Sequence, residues 1–328
     1  MGCGSAGERH AKNLASLGCS IAGVDPRLDR RKRFQSIHNT ELVFESLEHA
    51  LSKHVIYDGG VISSPPAFHI EQTIKLVEAR IPVLLEKPAS NSLLSTVKLV
   101  DFINQSDYPK NKAVLMGYTW RWWPALCHFR QLLRECVVGD SFYARIHISA
   151  HLADWHPWEC YQDFFMSSKT LGGGALLDES HWIDQMIWLF GMPNTISGSI
   201  RTTGILEIDS DDNVDILATY NNGLSVSLHL DLLGRPHEKS ISVLGTNGAL
   251  EWNESTNSIV MKKTGYKEKT LNFPEQRNDM FLAVATEFFS ILEDGTAHTC
   301  TLIDGMNVMK IVEAIRQSNK ESRVIRFD

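Results

Sequence analysis

Short apolar runs alternate with stretches of helical period over the first ~118 residues, and strand-like alternation takes over beyond about residue 120. Residues 20–24 form an apolar run that ends in Asp25. Residues 55–57 and 60–62 make a strand region that breaks at Ser63-Ser64-Pro65-Pro66, and a helix follows from about Phe68 to Ala79. Residues 82–85 lead into Glu86-Lys87-Pro88, and residues 113–117 lead into Tyr118. Strands that alternate with helices predict a doubly wound parallel sheet covered on both faces. The carboxyl ends of such strands form the ligand crevice, so Asp25, Ser64, Glu86, Lys87 and Tyr118 are expected to converge on it. Farther along, period two puts Val226, Leu228, Leu230 and Leu232 on one face, and Asn222-Gly223 and Asn247-Gly248 are hairpin turn pairs. Helices are expected at 124–136, 178–190, 276–293 and 304–318. The chain therefore reads as an α/β Rossmann-type unit over residues 1–118 and a second α/β unit, mostly antiparallel sheet, over residues 119–328.

The chain opens Met1-Gly2-Cys3-Gly4-Ser5-Ala6-Gly7, a G-x-G-x-x-G pattern at its first residues. Ala11, Leu14 and Leu17 keep helical spacing after it, and Gly18 stops the helix. That arrangement lets backbone approach a pyrophosphate and sets the anion on a helix N-terminus, so Gly2, Gly4, Ser5, Ala6 and Gly7 are expected to hold a dinucleotide. Asp25, about 20 residues beyond Gly4, is placed to take the adenosine ribose hydroxyls, which favours NAD. Arg27, Arg30 and Arg31 could instead receive a 2′-phosphate, which keeps NADP open. Met1 leaves no room for the strand that normally precedes this turn, so its leading residues are expected upstream of the present numbering.

Composition narrows the field. With 43% apolar and 22% charged residues over 328 positions, the chain can bury a sizeable core. Against 39 acidic residues, 32 basic ones leave a net charge of −7, without the basic stripe that nucleic acid or anionic lipid demands. No run nears the ~18 apolar residues of a membrane span. The six cysteines, Cys3, Cys19, Cys127, Cys136, Cys160 and Cys300, form no C-x-x-C pair, which fits reduced thiols in a cytoplasmic protein. No His or Cys spacing builds a metal site.

Glu86-Lys87-Pro88 puts an amine at a strand end, where it either donates to a substrate oxygen or a nicotinamide ribose, or is an ordinary exposed lysine. Gly172-Gly173-Gly174 precede Asp178, His181 and Asp184, spaced i, i+3, i+6 on an expected helix. A histidine flanked by carboxylates can serve as general base, and the same block also reads as a helix start capped by Asp178. Trp120, Trp122, Trp123, Trp155 and Trp158 could stack on sugar rings or simply fill the core. Arg121 and Arg235 could meet a substrate phosphate or carboxylate, or form surface ion pairs.

These motifs in this order, Gly2 to Leu14, Ser64-Pro65-Pro66 with His69, Glu86-Lys87-Pro88, Gly117 to Arg121 and the Gly-Gly-Gly to Asp184 block, resemble the Gfo/Idh/MocA family, named for glucose-fructose oxidoreductase and inositol dehydrogenase. The resemblance implies a second domain with a large open-faced sheet that mediates assembly into a homodimer or homotetramer. It implies hydride transfer between a nicotinamide and a carbinol carbon of a sugar, cyclitol or nucleotide sugar. Lys87 and His181 would be the catalytic pair, with Asp178 on a substrate hydroxyl, and Ser64, Pro65, His69, Glu86 and Lys87 beside the cofactor. Tyr118, Arg121, Trp155, Trp158, Asp184 and Arg235 are the candidate substrate contacts. Asp178 and His181 stand three residues apart where many members have four, a form similar to the branch of surface-polysaccharide and nucleotide-sugar pathways. Within this fold two other readings stand beside a dehydrogenase: an NAD-using glycosidase, and a non-catalytic NAD-sensing protein.

Overall fold

The structure is a computed structural model that describes residues 1–327 except 110–112, 156, 158, 294, 296 and 297. Its first 119 residues carry α1 (Ser5–Ser16), β1 (Gly23–Val24), α2 (Leu28–His38), β2 (Val43–Phe44), α3 (Leu47–Leu51), β3 (Gly60–Ile62), α4 (His69–Glu78), β4 (Val83–Leu85), α5 (Leu93–Gln105) and β5 (Val114–Met116). All strand pairs here are parallel: β1 with β2, and β3 with β4 and β4 with β5. β4 and β5 are buried along their whole length, as a sheet covered on both faces requires. Met1 and Gly2 run between the two strand groups. The Met1 amine donates to Val61 O at 2.8 Å, Ser63 N donates to Met1 O at 2.9 Å, and Gly2 N donates to Val24 O at 2.8 Å.

Two expected strands shrink. Residues 55–57 form no strand, and Ile56 is 91% exposed. Of residues 20–24 only Gly23 and Val24 pair, with Val43 and Phe44. An apolar run becomes a strand only where a neighbour meets its backbone groups, and spacing along the chain does not report the neighbour.

The second compact unit carries α6 (Pro124–Arg134), β6 (Ser141–Ser149), α7 (Ala175–Asp178), α8 (Ser180–Phe190), β7 (Thr195–Arg201), β8 (Asn213–Thr219), β9 (Ser225–Asp231), β10 (Glu238–Gly245), β11 (Gly248–Asn253), β12 (Ser258–Lys263) and β13 (Lys269–Asn272). Helix α9 (Arg277–Glu293) and the start of α10 (Leu302–Glu321) then return to the first unit, which comprises residues 1–119 and 277–306. Residues 307–328, with β14 (Ile325–Arg326), complete the second. A single division near residue 118 thus describes only the first passage between units. The return follows from packing, because α9 buries Met280, Phe281, Val284, Ala285, Phe288 and Ile291 and lies against α1. The nine strands of the second sheet run β13-β12-β11-β10-β6-β9-β8-β7-β14. Every neighbouring pair is antiparallel except β6 with β9. Val226, Leu228 and Leu230 are buried on one face of β9, as period two requires.

Candidate active site

In the first unit the glycine-rich turn is closed by contact. A Cβ on Gly7 would lie 1.8 Å from Gly2 O, so no larger residue fits there. Ser63 Oγ, which contacts both Met1 O at 2.9 Å and Gly2 O at 3.0 Å, ties down the turn from the loop after β3. Gly4 is the N-cap of α1 and no side chain caps it, so the first-turn N–H groups stay available to an anion. The Arg30 guanidinium stands 3.5 Å from where a Gly4 Cβ would be. An uncapped helix start, a turn that only glycine closes and a nearby arginine fit a dinucleotide pyrophosphate. Gly2, Gly4, Ser5, Ala6 and Gly7 would hold it.

Asp25 is 2% exposed. Its Oδ2 accepts from Cys3 N at 2.8 Å and its Oδ1 from Arg27 N at 2.9 Å, so it braces the glycine turn. Any ribose contact falls to its remaining lone pairs. Arg31 donates to the Asp25 and Pro26 carbonyls, and Arg27 pairs with Asp29. Of the three arginines weighed for a 2′-phosphate, Arg30 is the one beside both Gly4 and Asp25, 3.9 Å from the Asp25 carboxylate. Burial pushes the Cys3 thiol up to about 11, which keeps it protonated and inert.

Ser64, Glu86, Lys87 and Tyr118 follow β3, β4 and β5 at one edge of the parallel sheet. Ser64 Oγ donates to Gln72 on α4 at 2.6 Å, and Ser64, Pro65 and Lys87 are half-buried. His69 corrects an expectation. It is 0% exposed, with Nδ1 2.8 Å from Pro88 O and Nε2 2.8 Å from Ser64 O. Without exposed surface it cannot touch a cofactor. It joins the loops that follow β3 and β4, and burial, opposed by those two carbonyls, lowers its pKa. Tyr118 is likewise fully buried, so its ring is packing rather than substrate contact.

In the second unit the expected continuous helix from Asp178 is broken. α7 ends at Asp178 and α8 starts at Ser180, so Asp178 and His181 do not share one helical ladder. The glycines before them are tightly seated and not a loose turn. Gly174 has φ +109°, and a Cβ there would lie 2.5 Å from Asp211 Oδ1. Asp211 Oδ2 accepts from Leu176 N at 2.8 Å, and Asp211 O accepts from Ala175 N at 2.8 Å. This fixes the start of α7, and His181 is half-buried on the first turn of α8.

Arg121 and Asp184 are withdrawn from the substrate candidates. Arg121 Nε and Nη2 donate to Asp184 at 2.9 and 2.7 Å, and both side chains are buried. Their charges meet one another. Trp120 contacts Trp123, Trp182 and Trp252 with ring centroids 5.6, 5.1 and 5.8 Å apart. A buried ring of ~200 Å² contributes on the order of 5 kcal/mol of transfer free energy, so these faces serve the core. Trp155 is half-buried after a short 3₁₀ turn, and Trp158 lies outside the described residues. Arg235 is exposed and bidentate on Asp154 at 2.8 and 2.6 Å, with His237 3.5 Å from the same carboxylate. Ser63, His10 and Asp211 escaped notice in the sequence, because their partners stand from about 35 to 75 positions away and no local pattern marks them. No cluster suited to a metal ion exists among the described residues, and no helix there is long and apolar enough to cross a membrane.

A parallel sheet with a glycine turn on a helix start defines a dinucleotide-binding protein. The family models agree: residues 1–108 match the oxidoreductase family with NAD-binding Rossmann fold, and residues 128–251 match the GFO/IDH/MocA C-terminal domain. The chain belongs to the GFO/IDH/MocA oxidoreductase family and is an NAD-binding enzyme. It is 22% identical to the scyllo-inositol 2-dehydrogenase (NADP⁺) IolW of Bacillus subtilis, over 82% of this chain and 78% of that one. Among solved structures it resembles levoglucosan dehydrogenase in complex with NADH, with TM-score 0.86, 16% identity and 100% and 97% of the two chains covered. It also resembles the WlbA dehydrogenase of Bordetella pertussis in complex with NADH and UDP-GlcNAcA, with TM-score 0.80, 18% identity and 100% and 96% covered.

Proposed function

We propose that the protein oxidises a secondary alcohol of a sugar, cyclitol or nucleotide sugar, or reduces the matching ketone. The observation that carries this reading is that the dinucleotide turn, bonded through Met1 to Val61 and Ser63 at β3, and Lys87, after the neighbouring parallel strand β4, belong to the same unit. Bound NAD supplies the hydride acceptor or donor at its nicotinamide. The chain then has two tasks, to hold the carbinol oxygen and to move its proton. Lys87 is assigned the first, as a cation that favours developing alkoxide, and His181 the second, as general base. Asp178 would orient a substrate hydroxyl, and Trp155 and Arg235 are the remaining candidates for contacts with the sugar. Asp25 supports a preference for NAD, since a buried carboxylate opposes a 2′-phosphate. On the nine-stranded sheet the apolar Leu217 stands 46% exposed between Ser197 and Ser227, which supports assembly of two or four copies through that face, and six cysteines without a disulfide suit the cytoplasm.

A direct test follows reduced-nicotinamide absorbance when the protein and NAD meet scyllo-inositol, levoglucosan and UDP-sugars in turn. Reduction with at least one is the expected result. Bound cofactor with no reduction by any member of the panel contradicts the reading. Release of a sugar from a glycoside without net NADH would instead favour the glycosidase alternative.

A further inference from the structure

The chemistry above leaves unused a buried pair in the first unit. His10 Nε2 lies 2.6 Å from Glu86 Oε1, with the histidine side chain 1% and the glutamate 12% exposed. The second oxygen of Glu86 accepts from Lys87 N at 3.2 Å. A Cβ at Gly117 would stand 3.2 Å from that same oxygen, so glycine there leaves the carboxylate its seat. His10 belongs to α1, the helix whose start forms the dinucleotide turn, and its ring meets the edge of Phe281 with centroids 6.3 Å apart. The titratable groups around Glu86 are His10 and Arg9 from α1, Lys87 on its own loop, and His69 from α4, while Arg277 faces Arg9. Burial alone pushes Glu86 toward its acid form. Hydrogen bonding and charge from His10, helped by Lys87, outweigh burial and hold it below the usual carboxylate range.

We propose that His10 is a positioning residue for Lys87, acting through Glu86: it holds the glutamate side chain against the lysine's backbone N–H and fastens the lysine's loop to the helix that receives the dinucleotide. This rests on the reading of Lys87 as the group that holds the reacting oxygen. Its consequence, however, is visible at Lys87 without turnover. If His10 is replaced, Glu86 loses the hydrogen bond and charge that oppose its burial and moves toward its acid form, so His10→Gln and Glu86→Gln act on the Lys87 ammonium in the same direction. An ammonium that has lost a neighbouring anion gives up its proton more readily.

The experiment is competitive labelling with acetic anhydride, read by peptide mass spectrometry across pH, on the whole protein with and without NADH. Lys98, exposed on α5, is the internal reference. In both single variants the Lys87 labelling curve is expected to move to lower pH by about one unit, with the double variant moving no further and Lys98 unmoved. Circular dichroism spectra and thermal midpoints close to wild type are expected and report that the variants fold. A Lys87 curve that stays in place in His10→Gln, or shifts that add in the double variant, would overturn the proposal. Should His10→Gln not fold, Glu86→Asp keeps the acid but withdraws it from His10. The same downward shift is expected of it, and an unmoved curve overturns the proposal equally. Failure of the parent reading has a different signature, turnover that survives Lys87→Ala, and the labelling curves do not depend on it.

Discussion

Asp25 commits its two carboxylate oxygens to two backbone N–H groups, that of Cys3 in the glycine turn and that of Arg27 at the start of α2. Replacement by alanine leaves both donors unmet in a buried site, at a cost of about 1–3 kcal/mol for such a group. Asp25→Ala is therefore expected to lower the thermal midpoint and weaken NADH binding together, by calorimetry and fluorescence titration. An unchanged midpoint would remove Asp25 from the turn. Lys87→Ala separates the two roles of the same unit. It is expected to lower kcat by about 10²–10⁴-fold while NADH affinity stays within a few-fold, because the pyrophosphate cradle is untouched. A variant that turns over normally would leave the lysine without a chemical role. At this scale the sequence was readable where spacing is local: Gly2, Gly4 and Gly7 in a closed turn, then Asp25 bonded to it at the end of a run. It was unreadable for His69. The ring's two carbonyl partners, at Ser64 and Pro88, come together only once α4 has packed beside β3 and β4.

Among elements, the turn into α1 and the break between α7 and α8 carry the sharpest constraints. Gly7→Ala would drive a methyl group into Gly2 O, 1.8 Å from the ideal Cβ position, so the turn cannot close as built. Loss of measurable NADH binding is expected, with secondary structure kept by circular dichroism, and wild-type affinity would contradict the turn's assignment. In the second unit the buried ion pair of Arg121 and Asp184 joins the 3₁₀ turn at Thr119–Trp122 to α8. Removing one partner of such a pair costs about 3–5 kcal/mol. Arg121→Ala should accordingly destabilise the protein in denaturant melts, and a stable variant with only a raised KM would return Arg121 to the substrate candidates. The regular i, i+3, i+6 spacing of Asp178, His181 and Asp184 predicts one helix, yet Glu179 interrupts it. Its carboxylate accepts from Trp182 Nε1 at 3.1 Å, a tertiary fit that periodicity does not register. Strand ends were legible from the turn residues after them. Strand lengths were not, since β1 and β2 are two residues each and β3 to β5 three, too short to show a period.

Over the whole molecule, both fold classes were visible in the change from runs to alternation near residue 120, while the return of α9 to the first unit was not. A helix's apolar face shows that it packs, not on what. The second sheet also sets a dependence on pH. On β9, His229 is raised above its ordinary value by its hydrogen bond to Asp231, despite burial and with help from Asp215. Burial pushes Asp231 up, but His229 and the Leu233 and Gly234 N–H groups outweigh it and hold it at about 2. A raised histidine stabilises the fold fully below its ordinary pKa and loses that contribution as pH rises through the folded value. A depressed carboxylate stabilises above its ordinary range and loses that contribution as pH falls toward about 2. Both contributions are therefore complete between about pH 4 and 6.5. The thermal midpoint of wild type minus that of His229→Gln is expected to be largest in that window and to shrink above neutrality, and a difference flat with pH would contradict the pairing. The central claim, hydride transfer from a carbinol carbon by a GFO/IDH/MocA enzyme, is tested most directly by isotope. Protein and NAD are incubated with scyllo-inositol, levoglucosan and UDP-sugars deuterated at carbon, and the dinucleotide is weighed by mass spectrometry. The account expects one member of the panel to pass a single deuterium, as deuteride, to the nicotinamide ring, and expects Lys87→Ala to abolish the transfer. A dinucleotide that binds and never acquires deuterium from any of them would contradict it.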